Sequence, residues 1–107
     1  MGKNINDREV DGQVYSIDGI TKIGNALSNP VRIKILHILN KKPCNIYELA
    51  KLLNMSRPVV YAHLKKLEDA NLIENDLILE GSRAKRVFKA KKFKFKIDNN
   101  TIDEIFR

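Results

Sequence analysis

The chain has 107 residues, 43% of them hydrophobic, and 20 Lys plus Arg against 13 Asp plus Glu, a net charge of +7. That length holds one ordinary domain with a modest core, and the charge favours a polyanionic partner, either nucleic acid or an anionic membrane surface. The single cysteine, Cys44, excludes a disulfide framework within the chain; no apolar run nears the ~20 residues of a bilayer span, and the polar start MGKNINDREVDG lacks the apolar core of a secretory signal. A cytoplasmic protein with no membrane partner is expected.

The charge is not evenly spread. Residues 81–97 carry Arg83, Lys85, Arg86, Lys89, Lys91, Lys92, Lys94 and Lys96 and no acid, so this segment is +8 and the rest of the chain is −1. Basicity is therefore local, which points to a local function.

In chain order, residues 1–15 are polar and read as a loose, weakly ordered arm, with at most one short strand around Val14–Ile17. Asp18 is placed to cap a first helix whose apolar face is Ile20, Ile23 and Leu27, with Ala26 beside them. Gly24 inside this run weakens the helix or marks a close packing contact. Asn29 as N-cap and Pro30 at the first helical position open a second helix, about Val31–Leu39, with Arg32 and Lys34 facing solvent. Pro43 stops it. Asn45 and Glu48 have capping-box spacing and start a short helix, about Ile46–Leu53. Asn54-Met55 is a tight turn, and Ser56 caps a fourth helix that runs to about Ala70.

After Asn71 the period changes. Two short apolar runs around Glu80-Gly81-Ser82-Arg83 read as a β-hairpin. The strict alternation of Phe93, Phe95 and Ile97 with Lys94 and Lys96 predicts a half-buried strand. Thr101–Arg107 can form a last helical piece. A short helix, a tight turn and a second helix with a polar leading edge make a helix-turn-helix, and a basic hairpin just after it makes a wing. The fold class is thus mainly α with a small β-hairpin wing (α+β), a winged helix-turn-helix over 16–97, with 98–107 as a C-terminal segment.

The fourth helix carries two faces. Val60, His63, Leu64 and Leu67 share an i, i+3, i+4, i+7 stripe, which is the core face. Arg57, Tyr61 and Lys65 share another stripe, with Ser56, Pro58, Ala62 and Lys66 near it. Arg can fork onto a guanine edge, and Tyr can donate to a phosphate or pack on a thymine methyl. A solvated face is the bland reading, but this face holds no acid before Glu68. The DNA-binding set is therefore Ser56, Arg57, Pro58, Tyr61, Lys65 and Lys66 on the helix, with Arg83, Lys85 and Arg86 on the wing.

His63 belongs to the packed stripe. With His37 and Cys44 it forms no ligand pair, so no metal and no cofactor are expected. Paired carboxylates, a nucleophile–base pair and a Gly-rich phosphate loop are all lacking, so catalysis is not expected either. Two other functions share the same features: a winged-helix module that binds a protein partner, and a non-specific architectural DNA-binding protein.

The stretches ALSNPVRIKIL, IYELAKLLNMSRPVVYAHLKKLEDANLI and GSRAKRVFKA resemble the ArsR-type winged-helix transcription regulators over roughly residues 20–90. The phrase S-x-x-x-V-x-x-H-L-K-x-L following L-S-N-P-x-R-I-x-I-L carries the likeness, and the Lys, Ile and Asn content is closest to archaeal members. The resemblance implies a homodimeric, sequence-specific regulator on a pseudo-palindromic site. It implies a dimer interface from the first and last helical segments, here Ile20, Ile23 and Leu27 with Ile102, Ile105 and Phe106. Metal-sensing members carry a cysteine pair on the short helix before the turn, or His and carboxylates on the last helix. Here only Cys44 stands at the former, and the latter has Asp103 and Glu104 without His. Neither a metal nor a small-molecule effector is assigned, and Cys44 remains as a candidate redox thiol.

Overall fold

Polar caps cut the chain into helices at the expected places, with one exception. The computed structural model describes residues 8–10 and 13–107. Helix α1 (Ile17–Leu27) is capped by Ser16, whose Oγ accepts the Gly19 N–H at 2.8 Å, and not by Asp18. Both residue types cap well; Ser16 lies outside the helix with extended backbone, as a cap must. Asp18 sits in the first turn, pairs with Lys22 at 3.0 Å, and suits the helix dipole there.

Helix α2 (Pro30–Lys41) starts as predicted, with Asn29 accepting from the Val31 N–H at 2.8 Å, and runs two residues past its predicted end. Helix α3 (Ile46–Leu53) opens with the reciprocal Asn45–Glu48 capping box, at 2.8 and 3.0 Å. Asn54 closes it in the left-handed region, φ 53°, a conformation Asn tolerates better than most residues. Helix α4 (Arg57–Asp69) follows at once, capped by Ser56.

Strands β3 (Ile73–Glu80) and β4 (Arg83–Ala90) form the antiparallel hairpin, in register from Ile73 opposite Ala90 to Glu80 opposite Arg83. Gly81 turns the chain at φ 60°, where a Cβ would be strained. The break at residues 40–44 does more than stop α2. Cys44 and Phe88 exchange both backbone hydrogen bonds, at 3.0 and 2.8 Å, which ties the α2–α3 link to the free edge of β4. Ahead of the helices, β1 (Arg8–Val10) pairs antiparallel with β2 (Gln13–Tyr15). The expected loose arm therefore contains a two-stranded ladder, and β2 ends at Tyr15, short of the expected Ile17; residues 1–7, 11 and 12 lie outside the described residues.

The core is one cluster in which Ile35, Leu49, Val60, Leu64, Leu67 and Leu72 are fully buried. It joins α2, α3 and α4 to the base of the hairpin. A smaller cluster sets Tyr15 against Ile105 of the last helix α5 (Asn99–Ile105), with Ile20 packed on it. Gly24 meets no neighbour: a Cβ built there finds no atom within 4 Å. It is a weak point of α1 and no packing contact. Gly24→Ala is accordingly expected to raise stability by about 0.5–1 kcal/mol, by lowering the backbone entropy lost in the helix, as chemical denaturation will show.

Residues 91–97 do not form the predicted strand. Alternation supplies two faces but no ladder partner. The Lys91 N–H donates to Leu72 O at 3.0 Å and the Lys96 N–H to Tyr15 Oη at 2.9 Å. These are single ties, made to a loop and to a side chain. Phe93 and Phe95 stack on each other with centroids 5.5 Å apart and stay partly exposed with Ile97.

Candidate nucleic-acid interface

The helix-turn-helix is built by one division of labour on α4. Val60, Leu64 and Leu67 face the core and are fully buried. Arg57, Tyr61 and Lys65, on the neighbouring stripe about a quarter-turn round the helix, are exposed, as are Ser56 and Pro58 at the helix start. Ser56 Oγ accepts the Val59 N–H at 3.4 Å, a long bond that leaves the hydroxyl open to a second partner. Lys65 makes an exposed i, i+4 pair with Asp69 at 3.5 Å, of little energetic consequence. Lys66 departs from this group: it lines a hollow with Asp18, Lys22 and Asn25 of α1, off the Arg57–Tyr61–Lys65 stripe.

The wing redistributes the charge that the sequence concentrates. On β4, Arg83 stands opposite Glu80 and Lys89 opposite Glu74, while Lys85 and Arg86 stand opposite Ile78 and Leu77. Lys89 bonds Asp76 at 2.9 Å and Glu74 at 3.3 Å, which raises its pKa. Lys85 reaches Glu80 at 4.0 Å, and Arg86 donates to Asn75, which in turn donates to Glu68. The hairpin thus carries three acids beside its four bases, and Lys85 and Lys89 pair with them. The remaining Lys91, Lys92, Lys94 and Lys96 lie on the linking segment beyond it. Arg83 and Lys85 alternate onto one face of β4 and Arg86 onto the other.

Between wing and helices runs a groove lined by Asn45, Ile46 and Tyr47 and, from the wing, by Glu80, Arg83, Lys85 and Arg86. Tyr47 also borders the hollow at the head of α4, with Met55, Ser56, Arg57 and Pro58. The Arg57 guanidinium lies over the Tyr47 ring, 4.8 Å from its centroid. The sequence reading missed Tyr47. Its only signal there was a large aromatic on the polar side of a short helix.

Residues 29–75 match the model of the bacterial regulatory protein arsR family. A protein of Methanocaldococcus jannaschii, an uncharacterized HTH-type transcriptional regulator by name, is 70% identical over 87 residues, which are 81% of this chain and 92% of that one. The chain belongs to the ArsR family. Its fold is also that of an ArsR family transcriptional regulator, 30% identical with a TM-score of 0.58 over 69% of this chain and 77% of the other. A possible transcriptional regulatory protein from Mycobacterium bovis, 24% identical, shares the fold at a TM-score of 0.60 over 69% of this chain and 75% of its own. This ArsR-family chain is therefore a winged-helix transcription regulator whose partner is DNA.

Among its described residues, no group of three or more His, Cys, Asp or Glu could hold a metal ion. No helix among them is long and apolar enough to cross a membrane. Cys44 is buried, and burial pushes its thiol pKa up, followed by the nearby Glu48 charge. A buried, largely protonated thiol is a poor nucleophile, which disfavours the redox role.

Arg32, expected in solvent, is the tie between α1 and α4 in this regulator. It donates to Ala26 O at 3.0 Å and Asn25 O at 2.6 Å, and its Nη1 lies 3.1 Å from His63 Nδ1. Arg has no acceptor, so Nδ1 accepts and the imidazole proton sits on Nε2. Partial burial, then the Arg32 charge, lowers the His63 pKa below its ordinary 6.5. The unfolded chain thus binds the proton more readily. The resulting stability is complete above pH ~6.5 and is lost as pH falls through the lower folded pKa. Wild type should lose stability on acidification from pH 7 to 5, and His63→Gln should flatten that slope in denaturant titrations. Asp98, held low by the Thr101 N–H, acts in a separate window below about pH 4.

Proposed function

We propose that this regulator binds a pseudo-palindromic DNA site as a homodimer, with α4 in the major groove and the wing on the flanking backbone or minor groove. Regulation on this reading is by binding alone, without catalysis or a cofactor, in the cytoplasm. The winged domain spans 16–97, with 1–15 as an arm and 98–107 as the dimerisation helix. One observation carries it: α4 buries Val60, Leu64 and Leu67 while offering Ser56, Arg57, Pro58, Tyr61 and Lys65 outward. Arg83, Lys85 and Arg86 are the wing contacts. The placement of Lys66 toward α1 makes it the weakest member of the set.

Base contacts specify and phosphate contacts position. Against a duplex selected from random sequence, Arg57→Ala should weaken binding about tenfold or more, and change binding to a scrambled duplex little. Lys85→Ala should weaken both alike and flatten the salt slope by roughly one phosphate contact. Fluorescence anisotropy across several salt concentrations measures all four quantities. Equal losses on both duplexes for Arg57→Ala would sink the assignment and favour an architectural protein. No binding at low salt would favour a protein partner.

A further inference from the structure

We propose that Tyr47 sets DNA specificity as a positioning residue: its ring is a shelf that holds the Arg57 guanidinium ready for a base edge. The inference rests on the base-reading role of Arg57 and adds a residue to it.

Arg57 is the first residue of α4, and its side chain is long and exposed. Such a side chain loses much rotamer freedom when it docks, and prior restraint reduces that loss. Here the restraint is the Tyr47 ring 4.8 Å below the guanidinium carbon. Among the described residues no carboxylate pairs with Arg57. The distinction matters chemically. A carboxylate would occupy the N–H donors along the edge of the guanidinium. An aromatic ring engages its face and leaves the edge donors free to fork onto a base. Restraint and readiness therefore coexist only with a stacking partner.

Tyr47 is 63% exposed and belongs to no buried cluster, so packing does not account for it. It stands where α3 faces both the head of α4 and the wing residues Glu80, Arg83, Lys85 and Arg86. A shelf there lies beside the path of DNA without filling the core.

The test uses the full chain, a duplex selected from random sequence and its scrambled form, with affinities from anisotropy and a melting curve for each variant. Tyr47→Leu should lower the selected-to-scrambled affinity ratio about two- to fivefold, the size of an exposed cation–π contact, with the melting temperature falling by no more than about 2–8 °C. Tyr47→Phe keeps the ring and should retain the wild-type ratio. In an Arg57→Ala background Tyr47→Leu should add nothing. An unchanged ratio in Tyr47→Leu overturns the shelf, as does an equal loss in Tyr47→Phe, which would assign a direct hydroxyl contact. A Tyr47→Leu effect that persists without Arg57 overturns it too. If Arg57→Ala alone leaves the ratio unchanged, the base-reading role fails and the shelf with it; the other outcomes leave that role standing.

Discussion

Leu64→Ala is expected to lower stability by about 2–5 kcal/mol, the range for a buried Leu whose removal leaves a cavity. Leu64 is fully buried at the middle of α4, within the cluster that joins α2, α3, α4 and the hairpin base. A typical domain has about 5–15 kcal/mol in all, so a loss near 3 kcal/mol should lower the melting temperature by roughly 12–24 °C at fixed protein concentration. Tyr61→Ala, one turn away on the outward stripe, makes the contrast. Tyr61 is 52% exposed, and its truncation should move stability by no more than about 0.5 kcal/mol while weakening DNA binding. Denaturant titration of the two variants, together with anisotropy on the selected duplex, decides whether α4 has one structural and one reading face. Equal stabilities for Leu64→Ala and wild type would refute the buried assignment.

The features legible in the sequence are those written locally. Asn29, the Asn45–Glu48 box and Ser56 each announce a helix start within four residues, and each cap forms as expected. The 60–64–67 stripe needs only the helical period. What was not legible depends on partners far along the chain. The alternation in residues 93–97 is a strand signal, yet a ladder needs a neighbour. The edges of β4 near Phe88 are taken by β3 and by Cys44. Arg32 reads as a surface residue until α1 and α4 close around it, since His63 is 31 positions away. The +8 segment reads as one basic patch because a sum along the chain cannot see Glu74 and Asp76 folding back onto Lys89. Tyr47 likewise meets Arg57 only across the turn. On α4 the exposed stripe was legible, and the contact of Arg57 with Tyr47 was not.

The other large effect concerns assembly. Ile102→Glu with Phe106→Glu is expected to convert the proposed dimer to monomers and to weaken binding to a two-half-site duplex by about 10²–10⁴-fold, the range lost when a second linked contact disappears. The protomer supplies the reason. Its Cα radius of gyration is 16.2 Å and its extents are 52 × 31 × 22 Å. A compact chain of this length has a radius near 13 Å. Apolar side chains are left uncovered on the elements gathered around Tyr15. Phe106 is 71% exposed and Ile102 42%, with Leu27 on α1 and Phe93, Phe95 and Ile97 on the linking segment also open. Ile105 and Ile20 differ from the rest of the proposed interface set: they pack on Tyr15 within the protomer, so they hold α5 against α1 and shape the surface from behind. Ile23 is partly covered. Because Ile102 and Phe106 point outward, two glutamates there should leave the fold intact, as far-UV circular dichroism will show. Thr101 and Asp98 still cap the helix, through the Thr101 N–H to Asp98 Oδ1 at 2.9 Å. Sedimentation equilibrium reads the mass, and anisotropy on one-half-site and two-half-site duplexes reads the rest. Half-site affinity should stay near wild type while two-half-site affinity falls to meet it. A variant that remains dimeric would place the interface elsewhere, and a monomeric wild type with full two-half-site affinity would refute the dimer itself.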